Sequence, residues 1–280
     1  MKHTKALTSN RREQPFFRAP CEKRSRSLRL YTPLSILLLL FLWEIAALIV
    51  HKELLIPSPS VVLRRLLTLA ATDFFWRAIG MTMLRILAGY IIGVLTGILL
   101  AVVCYRIRPL RHLFSPLLTV IRATPVASFI ILALIWFGSS RVPVFTAFLM
   151  VLPVIWSSVL SGLEHADLQL LETAFVFHMS PVKTIRLIYI PALIPQLKAG
   201  CLTAIGLAWK AGVAAEVLCV PKNAIGKYLY ESKLYLETAD TFAWTAAIIL
   251  LSLMLENLLS FLLSGRLSAS QEKKGETRHV

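Results

Sequence analysis

Five stretches are almost unbroken runs of apolar residues: 33–50, 86–104, 142–160, 199–219 and 241–263. A bilayer core takes about 20 residues of helix, less when flanking side chains reach the interface. Each run meets that need and predicts a spanning helix. A sixth stretch, 116–138, is apolar but interrupted by Arg122 and Pro125, and predicts a span with a kink at the proline. The link from Gly138 to Val142 holds only a tight external hairpin. Between the first two runs, Pro57-Ser58-Pro59-Ser60 forms a turn and helix cap ahead of an amphipathic stretch, 61–71, expected on the outer surface. A second amphipathic run, ending at Tyr235, follows the fifth span. The expected fold is an all-α polytopic membrane protein with six transmembrane helices.

One polar-flanked insert, 169–200, falls between the fourth and fifth spans. Residues 169–177 contain neither Gly nor Pro and predict a short helix, while Ser180-Pro181 supplies an N-cap and a first-turn proline for a second one. Pro191 and Pro195 are expected to end or kink that second helix. Two short helices across a turn are expected to form a small plug.

Composition agrees: 57% of residues are hydrophobic and 16% charged, with a mean hydropathy of +0.71, which sets aside an ordinary soluble domain. The net charge of +15 would suggest nucleic acid in a soluble chain, but here its distribution decides. In a six-span arrangement, 20 of the 30 Lys and Arg fall on the side of the N-terminus and 9 on the other, with Lys210 inside the membrane. That bias places both termini in the cytoplasm and implies no nucleic-acid partner. Residues 1–32 form a basic tail that can rest on anionic lipid, 33–264 the membrane domain, and 265–280 a C-terminal tail. The first apolar run has no clean cleavage site after it and is expected to stay as a span. Cys21, Cys104, Cys201 and Cys219 show no paired spacing, so neither disulfide framework nor metal site is expected. Without a Gly-rich loop ending in Lys-Ser or Lys-Thr, the chain is not expected to bind ATP, and no other cofactor is implied.

Charges inside apolar runs are costly and mark protein-facing or wet positions. Glu44, Arg122, Lys210 and Glu216 are the candidates. Lys210 and Glu216 lie six residues apart, about 120° around a helix, too far for an easy mutual pair. Lys210 is expected on a translocation path; Glu216 either shares that path or sits at the outer boundary, where it would only cap. Glu256 and Asn257 are expected at the inner interface, and Trp136 and Trp156 as interfacial anchors. His165 and His178 have no nucleophile beside them, so a membrane-embedded enzyme is not favoured. Small residues recur every fourth position, at Gly89, Gly93, Gly97 and Ala101 and again at Gly200, Ala204, Ala208 and Gly212. Such stripes let helix backbones approach closely.

Within the insert, Glu172, Ala174, Ile188 and Pro191 stand at the spacing of the EAA loop of ABC importer permeases. The chain resembles that family, with Thr173 for Ala, Ile190 for Leu and His178 for the motif Gly. The order Pro57-Ser58-Pro59, Thr82, Arg85, Gly89, the segment TPVASF, Trp209-Lys210 and Ala214-Ala215-Glu216 is similar to permeases of nitrate, sulfonate and taurine importers. The resemblance implies a loop in which Glu172, Thr173, Ala174, His178, Ser180, Pro181, Ile188 and Pro191 couple to two ABC ATPase subunits. It also implies a second permease copy, an extracytoplasmic substrate-binding protein, and a path for a small solute near Arg122, Lys210 and Glu216. A small anion is the expected cargo; a thiamine precursor or other heterocycle, or a secondary transporter without an ATPase, is the alternative.

Overall fold

The computed structural model describes residues 28–50, 52 and 54–276. The basic tail before residue 28, Cys21 and residues 277–280 lie outside them. The described chain is helical throughout: α1 (Leu28–Val50), α2 (Pro59–Ala70), α3 (Asp73–Arg106), α4 (Arg108–Ala123), α5 (Val126–Phe137), α6 (Val142–Glu164), α7 (Leu168–Val176) and α8 (Pro181–Thr184). A single π turn (Ile185–Tyr189) then leads into α9 (Ile190–Cys219), followed by α10 (Ile225–Leu234) and α11 (Thr238–Glu276).

Among the described residues, four helical stretches are long and apolar enough to cross a membrane: Asp73–Arg106, Val142–Glu164, Pro181–Cys219 and Thr238–Leu263. The pair α4 and α5 makes a fifth if counted as one span, although it bends by 104°. In α1 the apolar helix Leu37–Val50 is shorter. The kink expected at Pro125 is therefore a complete break. A residue before proline is pushed out of the helical region, and Thr124 is extended at φ −80° and ψ 133°, so the helix stops at Ala123 and restarts at Val126.

Two boundaries differ from those expected, the first of them for a packing reason. α3 starts at Asp73, well ahead of its apolar run, and its 34 residues reach about 51 Å. Its first turn is held by aromatic rings: Phe75 lies 5.1 Å from Trp244, which stacks on Tyr228 at 5.3 Å, joining α3, α10 and α11. α11 continues as helix to Glu276, through the start of the expected C-terminal tail. Ser58 caps α2, its Oγ accepting from the Val61 N–H at 3.5 Å, and Arg65 on α2 forms an ion pair with Asp240 on α11.

α6 is the central helix, packed between α3 and α9. The glycine stripe of α3 makes this possible. A Cβ on Gly89 would sit 2.3 Å from the Val144 carbonyl oxygen, and one on Gly93 would sit 2.7 Å from Val151 Cβ. On α9, Gly200 abuts Ser158 and Gly212 abuts Ile86 in the same way. Gly93→Leu should therefore push α3 off α6 and lower the thermal midpoint of the detergent-purified protein, at a cost of about 1–3 kcal/mol, as overpacking does. Gly80, with open space around its Cα, is the control: Gly80→Ala should leave the midpoint in place.

α9 and α11 run antiparallel, pinned where the Trp209 indole N–H donates to the Ile248 carbonyl at 3.2 Å and where the Lys198 ammonium donates to the Leu263 carbonyl. Between these pins, Glu256 Oε1 lies 3.0 Å from the position of a Cβ on Gly206. Glu256 thus packs against α9 and is not simply interfacial as expected. The two tryptophans also differ: Trp136 is 73% exposed, as an anchor would be, whereas Trp156 is only 8% exposed and belongs to the core, because α6 is covered by its neighbours.

Candidate functional site: the surface loop and the intramembrane charges

The loop after α6 begins with Asp167, whose Oδ1 accepts from the Gln169 N–H at 2.9 Å and caps α7. Its end is a complete Schellman closure. The Met179 N–H reaches the Ala174 carbonyl at 2.9 Å, the His178 N–H reaches the Phe175 carbonyl at 3.1 Å, and His178 takes the left-handed conformation with φ 49°. Histidine, standing where the resembled motif has Gly, thus occupies the left-handed position of this turn. A non-glycine residue there carries a steric cost of about 1–2 kcal/mol.

Ser180 then has N-cap backbone angles, without a side-chain cap bond, and Pro181 opens α8. Ala174 and Ile188, fourteen residues apart through the turn, meet in a small buried cluster with Ala166, against which Leu171, Met179 and Tyr189 pack. This is the plug's own core. Glu172, Thr173, His178, Ser180, Pro181 and Pro191 stay on its outside. Around them lies an apolar tip, with Phe175 81%, Phe177 75% and Val182 73% exposed. Sequence reasoning picked the polar motif positions and passed over these three, although FVFHMSPV is an unusually apolar stretch for a turn.

Of the two outcomes expected at Pro191 and Pro195, an end or a kink of the second helix, an end does not occur. Helix runs without a break from Pro181 to Cys219. Proline lacks the N–H that would bond four residues back and its ring crowds that carbonyl. Here the π turn widens the helix just before Pro191, with the Ile190 N–H bonding back to the Ile185 carbonyl, and absorbs both problems.

The charged residues inside the apolar runs separate into distinct environments. Glu216 is fully buried. It accepts from Thr82 Oγ1 at 2.8 Å, from Arg85 Nη1 at 3.2 Å and from the Gly226 N–H at 3.3 Å. Arg85 Nη2 donates onward to the Lys222 carbonyl at 2.9 Å, and the Ile225 N–H donates to Thr82 Oγ1 at 3.0 Å. A Cβ on Gly226 would lie 2.5 Å from Glu216 Cβ, so only glycine admits the chain so close. Glu216 thus ties α3, α9 and α10 together; the expected path or simple capping role gives way to this knot, because α10 folds over it and shuts out water. Its partner Arg85, which a loop-by-loop charge count assigns to the outside, is within α3 and buried. Arg122 donates to the Pro153 carbonyl and, at 2.7 Å, to Ser157 Oγ, fastening the end of α4 to α6. Arg111 and Glu164 pair between the same two helices. Lys210 differs from all of these: it is exposed on α9, in line with Thr203, Leu207 and Ala214, and has no polar partner among the described residues.

The described residues thus form a bundle of long apolar helices with a two-helix loop running into one of them. Residues 93–273 match the family of binding-protein-dependent transport system inner membrane components, and the chain belongs to that family of ABC transporter permeases. It is 24% identical over 238 residues to the taurine transport system permease protein of Escherichia coli K12, covering 83% of this chain and 86% of the relative. It is 28% identical over 194 residues to a probable ABC transporter permease of Haemophilus influenzae, covering 68% and 78%. The aliphatic sulfonates transport permease of E. coli K12 is similar at 25% identity, over 66% of this chain and 70% of that one. Among solved structures, an amino acid ABC transporter shares the fold with a TM-score of 0.54 at 20% identity, covering 68% of this chain and 91% of that one.

Proposed function

We propose that the chain is the membrane-spanning half of an ABC importer, with a second copy of itself completing the path and two separate ATPase subunits docked on the 167–191 loop. An extracytoplasmic binding protein delivers the cargo, a small acid anion. Taurine, aliphatic sulfonates and, for a permease of Synechococcus elongatus 25% identical over 159 residues, bicarbonate are named for the relatives, and all three carry an acid group. In this reading α1 and the bent α4–α5 pair are the first and third of six spans, and both termini are cytoplasmic. Reporter fusions after Ser268 and within 161–179 should report cytoplasm and one after Asn223 the exterior; an external C-terminus sinks the arrangement.

The observation that carries the reading is the loop itself. An exposed apolar tip on a turn closed by backbone hydrogen bonds, with Phe175 and Phe177 ahead of the Pro181–Cys219 stretch and Val182 at its first turn, supports a protein partner there. The unbroken helix from Pro181 to Cys219 connects that tip to Lys210. ATP-driven closure of the ATPase pair then biases one arrangement of the spans over another.

Glu172→Lys reverses a charge on the exposed face of α7. It should leave the permease in the membrane at normal abundance while cutting co-purification of the ATPase. His178→Gly removes the left-handed strain and should raise the thermal midpoint, or at least hold it, with full assembly. Normal uptake and normal recovery of the complex in the Glu172→Lys variant would falsify the coupling role.

A further inference from the structure

Between the ends of α3 and α6 and the inner side of the second half of the 167–191 loop there is a cavity of about 430 Å³. Its walls come from the last turn of α3 (Val102, Tyr105, Arg106), the last turn of α6 (Leu163) and the helix running through the π turn (Ile185, Tyr189 among others). The lining is mostly apolar. Its polar side chains are Tyr105 and Tyr189, whose hydroxyls lie 3.3 Å apart, Thr184, whose hydroxyl donates to the Ser180 carbonyl, and Arg106, the last residue of α3. One of the two tyrosine hydroxyls donates to the other, which leaves one O–H free for a further acceptor. Arg106 is exposed and has no polar partner among the described residues. No acid lines the cavity, and Glu164, the nearest in sequence to Leu163, is already paired with Arg111.

An apolar chamber of this volume with a few polar groups has the make-up of a ligand site. Its location selects the ligand. α3 and α6 leave the apolar layer here, so the apolar walls sit at the depth of acyl chains and Arg106 at the depth of headgroups. Arg108, Lys183 and Arg186 flank the lining residues in sequence and extend the positive rim. Apolar wall below and unpaired cation with a hydroxyl donor above fit a lipid that carries a phosphate and a net negative charge.

We propose that this cavity holds one acyl chain of an anionic phospholipid, with its phosphate on Arg106 and the Tyr105–Tyr189 pair. The lipid packs against the π turn, the widest and least regular part of the connection between loop and α9, and so stiffens it. That regulatory consequence rests on the coupling role proposed above; the site itself does not.

The test is native mass spectrometry of the assembled permease–ATPase complex after equilibration in micelles holding equal amounts of dioleoyl phosphatidylglycerol and dioleoyl phosphatidylcholine. Wild type should retain phosphatidylglycerol over phosphatidylcholine by about fivefold, the effect of roughly one cation at a membrane surface. Arg106→Gln, a surface change that leaves packing intact, should bring that ratio to about one. Val102→Trp fills the cavity from the half-exposed α3 face and should release one lipid of either type per permease. Glycerol 3-phosphate should not displace the lipid. Equal retention of the two lipids by wild type, an unchanged preference in Arg106→Gln, or displacement by glycerol 3-phosphate overturns the proposal, the last pointing to a site for free phosphate. In vesicles, ATP hydrolysis should respond to phosphatidylglycerol in wild type and not in Arg106→Gln. A complex that keeps the lipid preference by mass but shows no such response retains the site and removes only its coupling consequence.

Discussion

Arg85→Met should deplete the folded permease from the membrane. The Glu216 carboxylate is fully buried, and Arg85 is its cationic partner at 3.2 Å. Removing one member of a buried pair costs about 3–5 kcal/mol, because the remaining charge stays out of water without compensation. A protein with a net stability of about 5–15 kcal/mol cannot lose that much unnoticed. The Thr82 hydroxyl and the Gly226 N–H still reach Glu216 but carry no full charge. The measurements are the yield of monodisperse protein from a fluorescent fusion and its thermal midpoint, and both should fall. The double change Arg85→Met with Glu216→Met should recover much of the loss, since removing both charges avoids the orphan. If the single variant folds normally while the double does not, the knot is held by its packing and not by its charges.

Lys210→Met should have the opposite profile, with normal abundance and impaired transport. Lys210 lies near the middle of α9's apolar run and points away from its own chain with no polar partner among the described residues. A lysine at such depth costs about 2.5–3.5 kcal/mol on insertion scales, which favours a wet path or a second subunit over lipid. Methionine keeps the side chain's length and removes its charge. If the cargo is an anion, the lost cation raises the barrier to its passage, and uptake should fall while ATPase stimulation by the loaded binding protein persists. Unchanged uptake at normal abundance defeats the path role. Loss of the protein would instead identify Lys210 as a structural contact, with Glu44 the first partner to test by charge swap, because Glu216 is already committed to Arg85.

The two positively and negatively charged sets show how far the chain could be read in advance. Apolar run length located α3, α6, α9 and α11, because a spanning helix satisfies its own backbone and needs only composition. The two short helices of the surface loop were legible for a similar reason, since Ser180-Pro181 specifies local geometry, but the turn was not: histidine in place of the motif Gly left its shape open, and His178 turns left-handed. What was hidden depends on distant partners. Nothing near Glu216 in sequence announces Arg85, 131 residues away, and nothing in Pro191 announces that a π turn will carry the helix past it. The six expected spans met the same limit at Pro125, where one local rule correctly placed the break but could not fix its 104° angle.

The helix from Pro181 to Cys219 has a mechanical consequence. Among its glycines the closest approach to a neighbour is at Gly200, where a Cβ would meet Ser158 Oγ at 2.4 Å, and this crossing can act as a fulcrum. The arm from Pro181 to Gly200 is about 28 Å and the arm from Gly200 to Glu216 about 24 Å at the usual helical rise. A beam balanced so nearly at its middle has a gearing close to one. A sideways step imposed at the loop would appear at the far end with similar size and opposite sense, where the Glu216 knot would drag α10 along with it; in the proposed importer, that links α10 to the state of the docked ATPases.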